Sequence, residues 1–132
     1  MAVHPRQPTS TDEELFAAER GTVVALRSDS ERIALIGAEL AYGFEALGDI
    51  GPAVSVFGSA RTRSEDPAYE RARVLANGLA SAGFAIITGG GGGSMEAANR
   101  GAQEGGGRSI GLNIELPHEQ VPNRFVDLGL DF

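Results

Sequence analysis

The sequence predicts an α/β domain built on a parallel sheet, and three observations lead there. From Gly51 onward, short apolar runs alternate with helix-length amphipathic segments, the order that produces right-handed strand–helix–strand crossovers. Five consecutive glycines, Gly89–Gly93, stand between one such run and one such helix. The run before them, Phe84 to Thr88, is apolar at Ile86, Ile87 and their neighbours, as a strand buried on both faces requires.

Taken in order, residues 1–10 hold Pro5, Pro8, Thr9 and Ser10 and read as a disordered tail, with His4 solvated in it. Residues 11–50 read as a helical cover. Thr11-Asp12-Glu13-Glu14 has capping-box spacing and opens a short helix to about Arg20; Thr22–Leu26 is too short to assign. Ser28-Asp29-Ser30-Glu31 is a second capping box. The helix behind it carries Ile33, Ile36, Leu40, Phe44 and Leu47 on one face and stops at Gly48. That face suits a cover or an oligomer surface, and these helices carry no evident chemistry.

Residues 51–132 read as the sheet domain. Ala53–Phe57 is a buried strand followed by Gly58-Ser59-Ala60. Asp66-Pro67 supplies an N-cap and a proline at the first helical position. Ala68, Ala72, Leu75, Leu79 and Ala82 form the stripe of that helix, which Gly83 ends. Phe84–Thr88 is the second strand, residues 94–104 the next helix, and Ser109–Asn113 the third strand. Leu116–Arg124 is a proline-punctuated loop, and Val126–Phe132 begins a fourth strand. This is half or more of a Rossmann-like three-layer fold with N-terminal helices. Four strands do not finish such a sheet, so the chain is expected to be incomplete at its C-terminus; a reading frame stopping naturally after Phe132 would contradict that.

Composition excludes several classes. The 132 residues hold no cysteine, so disulfides and thiolate metal sites are impossible and a cytoplasmic location is expected by default. No apolar run approaches the ~18 residues of a membrane span. A net charge of −7 argues against a nucleic-acid or acidic-membrane partner. The charge is uneven: residues 1–50 carry nine acids and four arginines, residues 51–132 nine acids and seven arginines. The chain has no lysine, which rules out a P-loop and a pyridoxal-phosphate Schiff base.

The glycine run is the first candidate site. Glycine loses the most backbone entropy on folding, so five in a row serve close backbone approach rather than packing. A helix starting at Ser94 aims unpaired N–H groups and its positive dipole end at the loop, which suits a phosphate. A plain surface turn is the alternative, although one or two glycines would serve it. Gly58, Ser59 and Arg61 lie at the same C-terminal sheet edge, where open α/β sheets bind ligands. Ser59 is a phosphate or ribose donor or a turn residue; Arg61 adds a charge or is solvated, with Arg63 as its equal. Met95 packs in the core or lies on a base. Glu96 contacts ribose or offsets the helix dipole, and Asn99 falls on the same helix start. A dinucleotide fingerprint forced onto Gly89, Gly91 and Ser94, with Glu115 as ribose acid, fits poorly because the loop follows the second strand. His118 beside Glu119 has no visible partner and reads as structural.

Three blocks in order carry a family resemblance: Val54–Thr62, Thr88–Gly101 and Gly111–Gln120. Together they resemble the LOG family, Rossmann-fold proteins also labelled lysine decarboxylase-like. Active members are cytokinin riboside 5′-monophosphate phosphoribohydrolases, which cleave the N-glycosidic bond of nucleoside monophosphates. The likeness covers about residues 52–132. It implies a homodimer with neither metal nor organic cofactor, and an AMP-like substrate held by Gly58, Ser59, Gly89, Gly90, Gly91, Gly92, Gly93, Ser94, Met95, Glu96 and Asn99.

Two departures stand out. The family usually has proline where this chain has Gly92 and an aliphatic residue where it has Ser94, so the loop should be looser. The family's Pro-Gly-Gly-x-Gly-Thr-x-x-Glu signature and the arginine shortly before it would lie beyond Phe132. No catalytic residue is therefore identified, and little or no hydrolysis is expected of these 132 residues alone. The alternatives are a non-catalytic nucleotide-binding or carrier module and, third, an NAD(P)-dependent redox enzyme.

Overall fold

The structure, a computed structural model, describes residues 28–114 and 121–132. The tail with His4, the helix expected from Thr11, and Glu115 and His118 lie outside them. The chain falls into two compact units that divide between Ala41 and Tyr42.

In the first unit, helix α1 (Asp29–Leu47) begins on the expected capping box. The Ser28 amide donates to Glu31 Oε2 at 2.6 Å, and the Glu31 amide donates to Ser28 Oγ at 3.3 Å. Ile33, Ile36 and Leu40 on its apolar face are all exposed.

The second unit takes in the end of α1 and a four-stranded sheet. β1 (Ala53–Ser55), β2 (Ala85–Thr88), β3 (Ser109–Asn113) and β4 (Leu128–Asp131) are all parallel and lie in the order β1-β2-β3-β4. Helices α2 (Pro67–Ser81) and α3 (Ser94–Glu104) are the crossovers between β1 and β2 and between β2 and β3. Consecutive neighbours joined by right-handed crossovers put both helices on one face, where they pack on β2 and on each other. The fold class is the one the sequence predicts.

Ile86 and Ile110 are fully buried on the central strands and Leu130 is 1% exposed. Each removes an aliphatic side chain from water, about 1.5–3 kcal/mol. β1 departs from expectation. It forms a sheet edge, with Val54 and Val56 packed on the core and Phe57 91% exposed. Its alternation is that of a strand covered on one face.

α2 also faces the core differently. Its cap is as predicted: Asp66 Oδ1 accepts from the Ala68 amide at 2.7 Å and Pro67 opens the helix. The buried residues, however, are Tyr69, Ala76 and Ala80, whereas Leu75 is 59% exposed. The reason is close approach. A Cβ on Gly101 would run into the Arg73 carbonyl and stand 3.0 Å from the Asn77 nitrogen, and one on Gly105 would stand 2.9 Å from Ala80 Cβ. Ala97, Gly101 and Gly105 give α3 a stripe of small residues one turn apart, and α2 answers it with its own alanines.

Two substitutions with opposite signs follow. Gly101→Ala should destabilise by roughly 1–3 kcal/mol, because the methyl overpacks backbone that cannot yield. Gly78→Ala should stabilise by about 0.5–1 kcal/mol, since nothing lies within 4 Å of a Cβ there. Urea unfolding midpoints measure both.

Candidate functional site

The loops after β1 and β2 lie against each other at the C-terminal edge of the sheet. The Ser94 amide donates to the Ser59 carbonyl at 3.0 Å. Ser94 Oγ and Thr62 Oγ1 share a hydrogen bond at 2.9 Å, and Thr62 Oγ1 also donates to the Ser59 carbonyl at 3.2 Å. Ser59 Oγ accepts from the Arg61 amide at 3.1 Å. Gly58 allows the approach, because a Cβ there would come within 2.5 Å of Ser94 Cβ. Gly93, at φ 64° and ψ −127°, holds a conformation open only to glycine, with Ser59 and Ala60 pressed against it.

The amide inventory sets what the loop can bind. Gly90 N–H donates to Thr88 Oγ1 at 2.9 Å, and the Ala97 amide makes the first bond into α3, to the Gly93 carbonyl at 2.9 Å. Among the described residues, the amides of Gly91, Gly92, Gly93, Met95 and Glu96 have no acceptor. Two expected donors are therefore already spent, since Ser94 and Gly90 use their N–H groups to shape the loop. Five amides between Gly91 and Glu96 remain around a helix N-terminus, an arrangement that stabilises an anion.

Under the loop runs a buried polar chain. Thr88 Oγ1 donates to Asn99 Oδ1 at 2.7 Å. Asn99 Nδ2 donates to Ser109 Oγ at 2.8 Å and to the Ile110 carbonyl at 3.3 Å. Asn123 Nδ2 donates to Asn99 Oδ1 at 2.9 Å and to the Gly91 carbonyl at 2.9 Å. Asn99 is wholly buried. Its amide is saturated from inside the protein, so it supports the loop from below and does not reach a ligand on the other side. Thr88 and Asn123 carry no sequence signal of this role. Asn123 lies 33 residues from the Gly90 it touches, and no spacing in the sequence links them.

The remaining candidates flank the loop. Met95 is half-buried, with its sulfur 3.1 Å from where a Gly89 Cβ would stand, so it packs against the loop backbone. The Tyr69 hydroxyl donates to Glu96 Oε1 at 3.0 Å. Burial and then this carboxylate push the Tyr69 phenol above its ordinary pKa, and Arg100 opposes them. Arg61 and Arg63 are exposed and form no ion pair among the described residues. Arg32 meets Asp29 within α1 at 3.4 Å, and the other paired arginines sit along α2 and α3: Arg73 bridges Glu70 and Glu104 at 2.8 and 2.7 Å, and Arg100 meets Glu104 at 2.9 Å.

The sequence profile of the SLOG cluster4 family matches residues 51–130. The chain belongs to that family. The matched span holds all of the sheet but Asp131, both loops and the buried polar chain. No curated protein matches significantly. Among solved structures, the molybdenum cofactor carrier protein of Chlamydomonas reinhardtii is 31% identical, with a TM-score of 0.51 over 61% of this chain and 49% of that one. The X-ray structure of TM1055 is 26% identical, with a TM-score of 0.45 over 61% of this chain and 45% of its own. The SLOG chain thus spans about half the length of the structures it matches. Among its described residues, no helix is long and apolar enough to cross a membrane.

The loop glycines should respond unequally to a methyl group. Gly92 has no left-handed φ, and the nearest atom to an added Cβ is the Ala60 carbonyl oxygen at 3.6 Å. Gly92→Ala should stabilise by about 0.4–1 kcal/mol by restricting the unfolded chain. Gly93→Ala should cost roughly 1–3 kcal/mol. Denaturant titration of the two variants separates these outcomes.

Proposed function

We propose that this SLOG protein binds a nucleoside 5′-monophosphate and that its 132 residues form the nucleotide-holding part of a phosphoribohydrolase. The observation that carries the reading is the set of five unpaired amides, Gly91–Gly93, Met95 and Glu96, at the start of α3 on the C-terminal sheet edge. Phosphates are bound at such helix starts, and open α/β sheets bind ligands at that edge. The phosphate oxygens take the amides. Glu96, its carboxylate steadied by Tyr69, receives a ribose hydroxyl, and Met95 supports the base.

Cleavage of the N-glycosidic bond passes through an oxocarbenium-like state that needs a carboxylate beside the sugar and an activated water. The chain has no Pro-Gly-Gly-x-Gly-Thr-x-x-Glu segment, and Glu96 alone does not make a catalytic pair. Binding without turnover is the expected behaviour, in a homodimer that needs neither metal nor organic cofactor. A carrier role is the second reading, favoured by the 31% identity to a cofactor carrier protein. It shares the anion cradle and dispenses with hydrolysis.

Calorimetric titration with AMP, paired with chromatography of the mixture, tests this. AMP should bind with a dissociation constant of about 1 mM or tighter, worth about 4 kcal/mol, and should be recovered intact. Adenosine, lacking the phosphate, should bind at least ~10-fold more weakly, a difference of about 1.4 kcal/mol. Release of adenine would assign catalysis to these residues; equal affinity for adenosine and AMP would remove the phosphate cradle.

A further inference from the structure

We infer that Asn123 is the positioning residue of the nucleotide site: it sets which way the glycine loop's peptides face. The inference rests on the binding reading above and assigns the loop's orientation to one side chain in the connection before β4. Two groups of Asn123 grip the loop and its support, and a third holds the side chain in place. Its backbone N–H donates to the Gly90 carbonyl at 2.8 Å. Its Nδ2 donates to the Gly91 carbonyl at 2.9 Å, reaches the Gly90 carbonyl at 3.1 Å, and donates to Asn99 Oδ1 at 2.9 Å. Its Oδ1 accepts from the Phe125 amide at 3.0 Å, which fixes the rotation of the side-chain amide.

All peptides here are trans, and in a planar trans peptide the C=O and the following N–H point in opposite directions. Asn123 draws the Gly90 and Gly91 carbonyls to its own side. The Gly91 and Gly92 amides must then face the other way. Those are two of the five free donors at α3. Glycine can otherwise turn these peptides over at little steric cost, so the loop's own sequence does not choose the orientation. Asn99 completes the choice. Its Oδ1 accepts from Thr88 and Asn123, and its Nδ2 is committed to Ser109 and Ile110. That polarity leaves Asn123 Nδ2 as donor to the loop.

The clamp is itself anchored. Val126 lies 3.0 Å from where a Gly111 Cβ would be, with Gly90 Cα at 3.1 Å, so β3 carries glycine where loop and connection meet. Asp127 accepts from the Ser109 amide at 3.2 Å and from Gln103 at 2.6 Å. Residues 123–127 are thereby tied to β3 and to α3, and the loop is read from both.

The test is Asn123→Asp, with Asn123→Ala should the aspartate variant not fold, and Gly101→Ala as a destabilised variant remote from the loop. A carboxylate accepts and does not donate, so Asn123→Asp puts like dipoles against Gly91 O and Asn99 Oδ1. AMP affinity by calorimetry should fall at least ~10-fold in the Asn123 variant and stay within about twofold in Gly101→Ala. Without ligand, the Gly91 and Gly92 amide resonances should shift in the Asn123 variant only. Wild-type affinity with unmoved glycine resonances overturns the inference. If the wild-type protein does not bind AMP, the binding proposal fails separately and the resonances decide: shifted Gly91 and Gly92 amides uphold Asn123 as the clamp, and unshifted ones remove it.

Discussion

The chain of buried hydrogen bonds from Thr88 through Asn99 to Asn123 is the constraint on which the rest of the site depends. It joins the end of β2, the first turns of α3, the start of β3 and the connection into β4. Two of its members are primary amides, each with donors and an acceptor to satisfy inside the protein. A buried polar group without a partner costs about 1–3 kcal/mol, so this arrangement persists only if every member is bonded. Among the described residues, no buried side-chain nitrogen or oxygen lacks a partner. The network is directional as well as complete. Gly90 donates to Thr88, Thr88 to Asn99, and Asn123 to both Asn99 and the loop. A flexible glycine run acquires one orientation from it.

The packing of α3 on α2 is set elsewhere, by small residues. Gly101 and Gly105 let α3 sit against the α2 backbone near Arg73 and Asn77, closer than any side chain would allow. The same economy of side chains recurs at the C-terminal edge of the sheet, where Gly58 and Gly93 let the β1 loop touch the start of α3. The Ser59 carbonyl then takes the Ser94 amide at 3.0 Å. One helix N–H is thus spent inside the protein, and the two loops become a single surface. Helix packing and loop contact are served by the same residue type for the same reason: backbone must come close to something.

Much of this is legible in the sequence because it is local. Capping at Ser28 and Asp66, the strand before the glycines, and the helix over residues 94–104 follow from spacings of a few residues, and the structure places them as read. What fails to show is whatever depends on distant partners. Leu75 looks like a core residue by periodicity, yet α2 turns Ala76 and Ala80 inward, because α3 presents glycines. The run Ala53–Phe57 looks buried, but β1 is a sheet edge and Phe57 lies outside. Asn99 looks like a ligand contact from its place near a helix start. It is buried because Ser109 and Asn123, distant in sequence, close over it. Asn123 sits in a polar loop and carries no motif of its own.

In the proposed reading, a buried amide chain presents Gly91–Gly93, Met95 and Glu96 as an anion cradle at the C-terminal edge of the sheet. A heteronuclear NMR titration of the labelled protein with AMP tests it most directly, residue by residue. The largest amide shifts should fall on those five residues, with downfield movement typical of new hydrogen bonds to an anion. The Asn99 and Asn123 side-chain amides should stay where they are. Shifts centred instead on Gly105–Arg108, at the opposite edge of the sheet, or movement of the Asn99 side chain with no change at Gly91–Gly93, would contradict it.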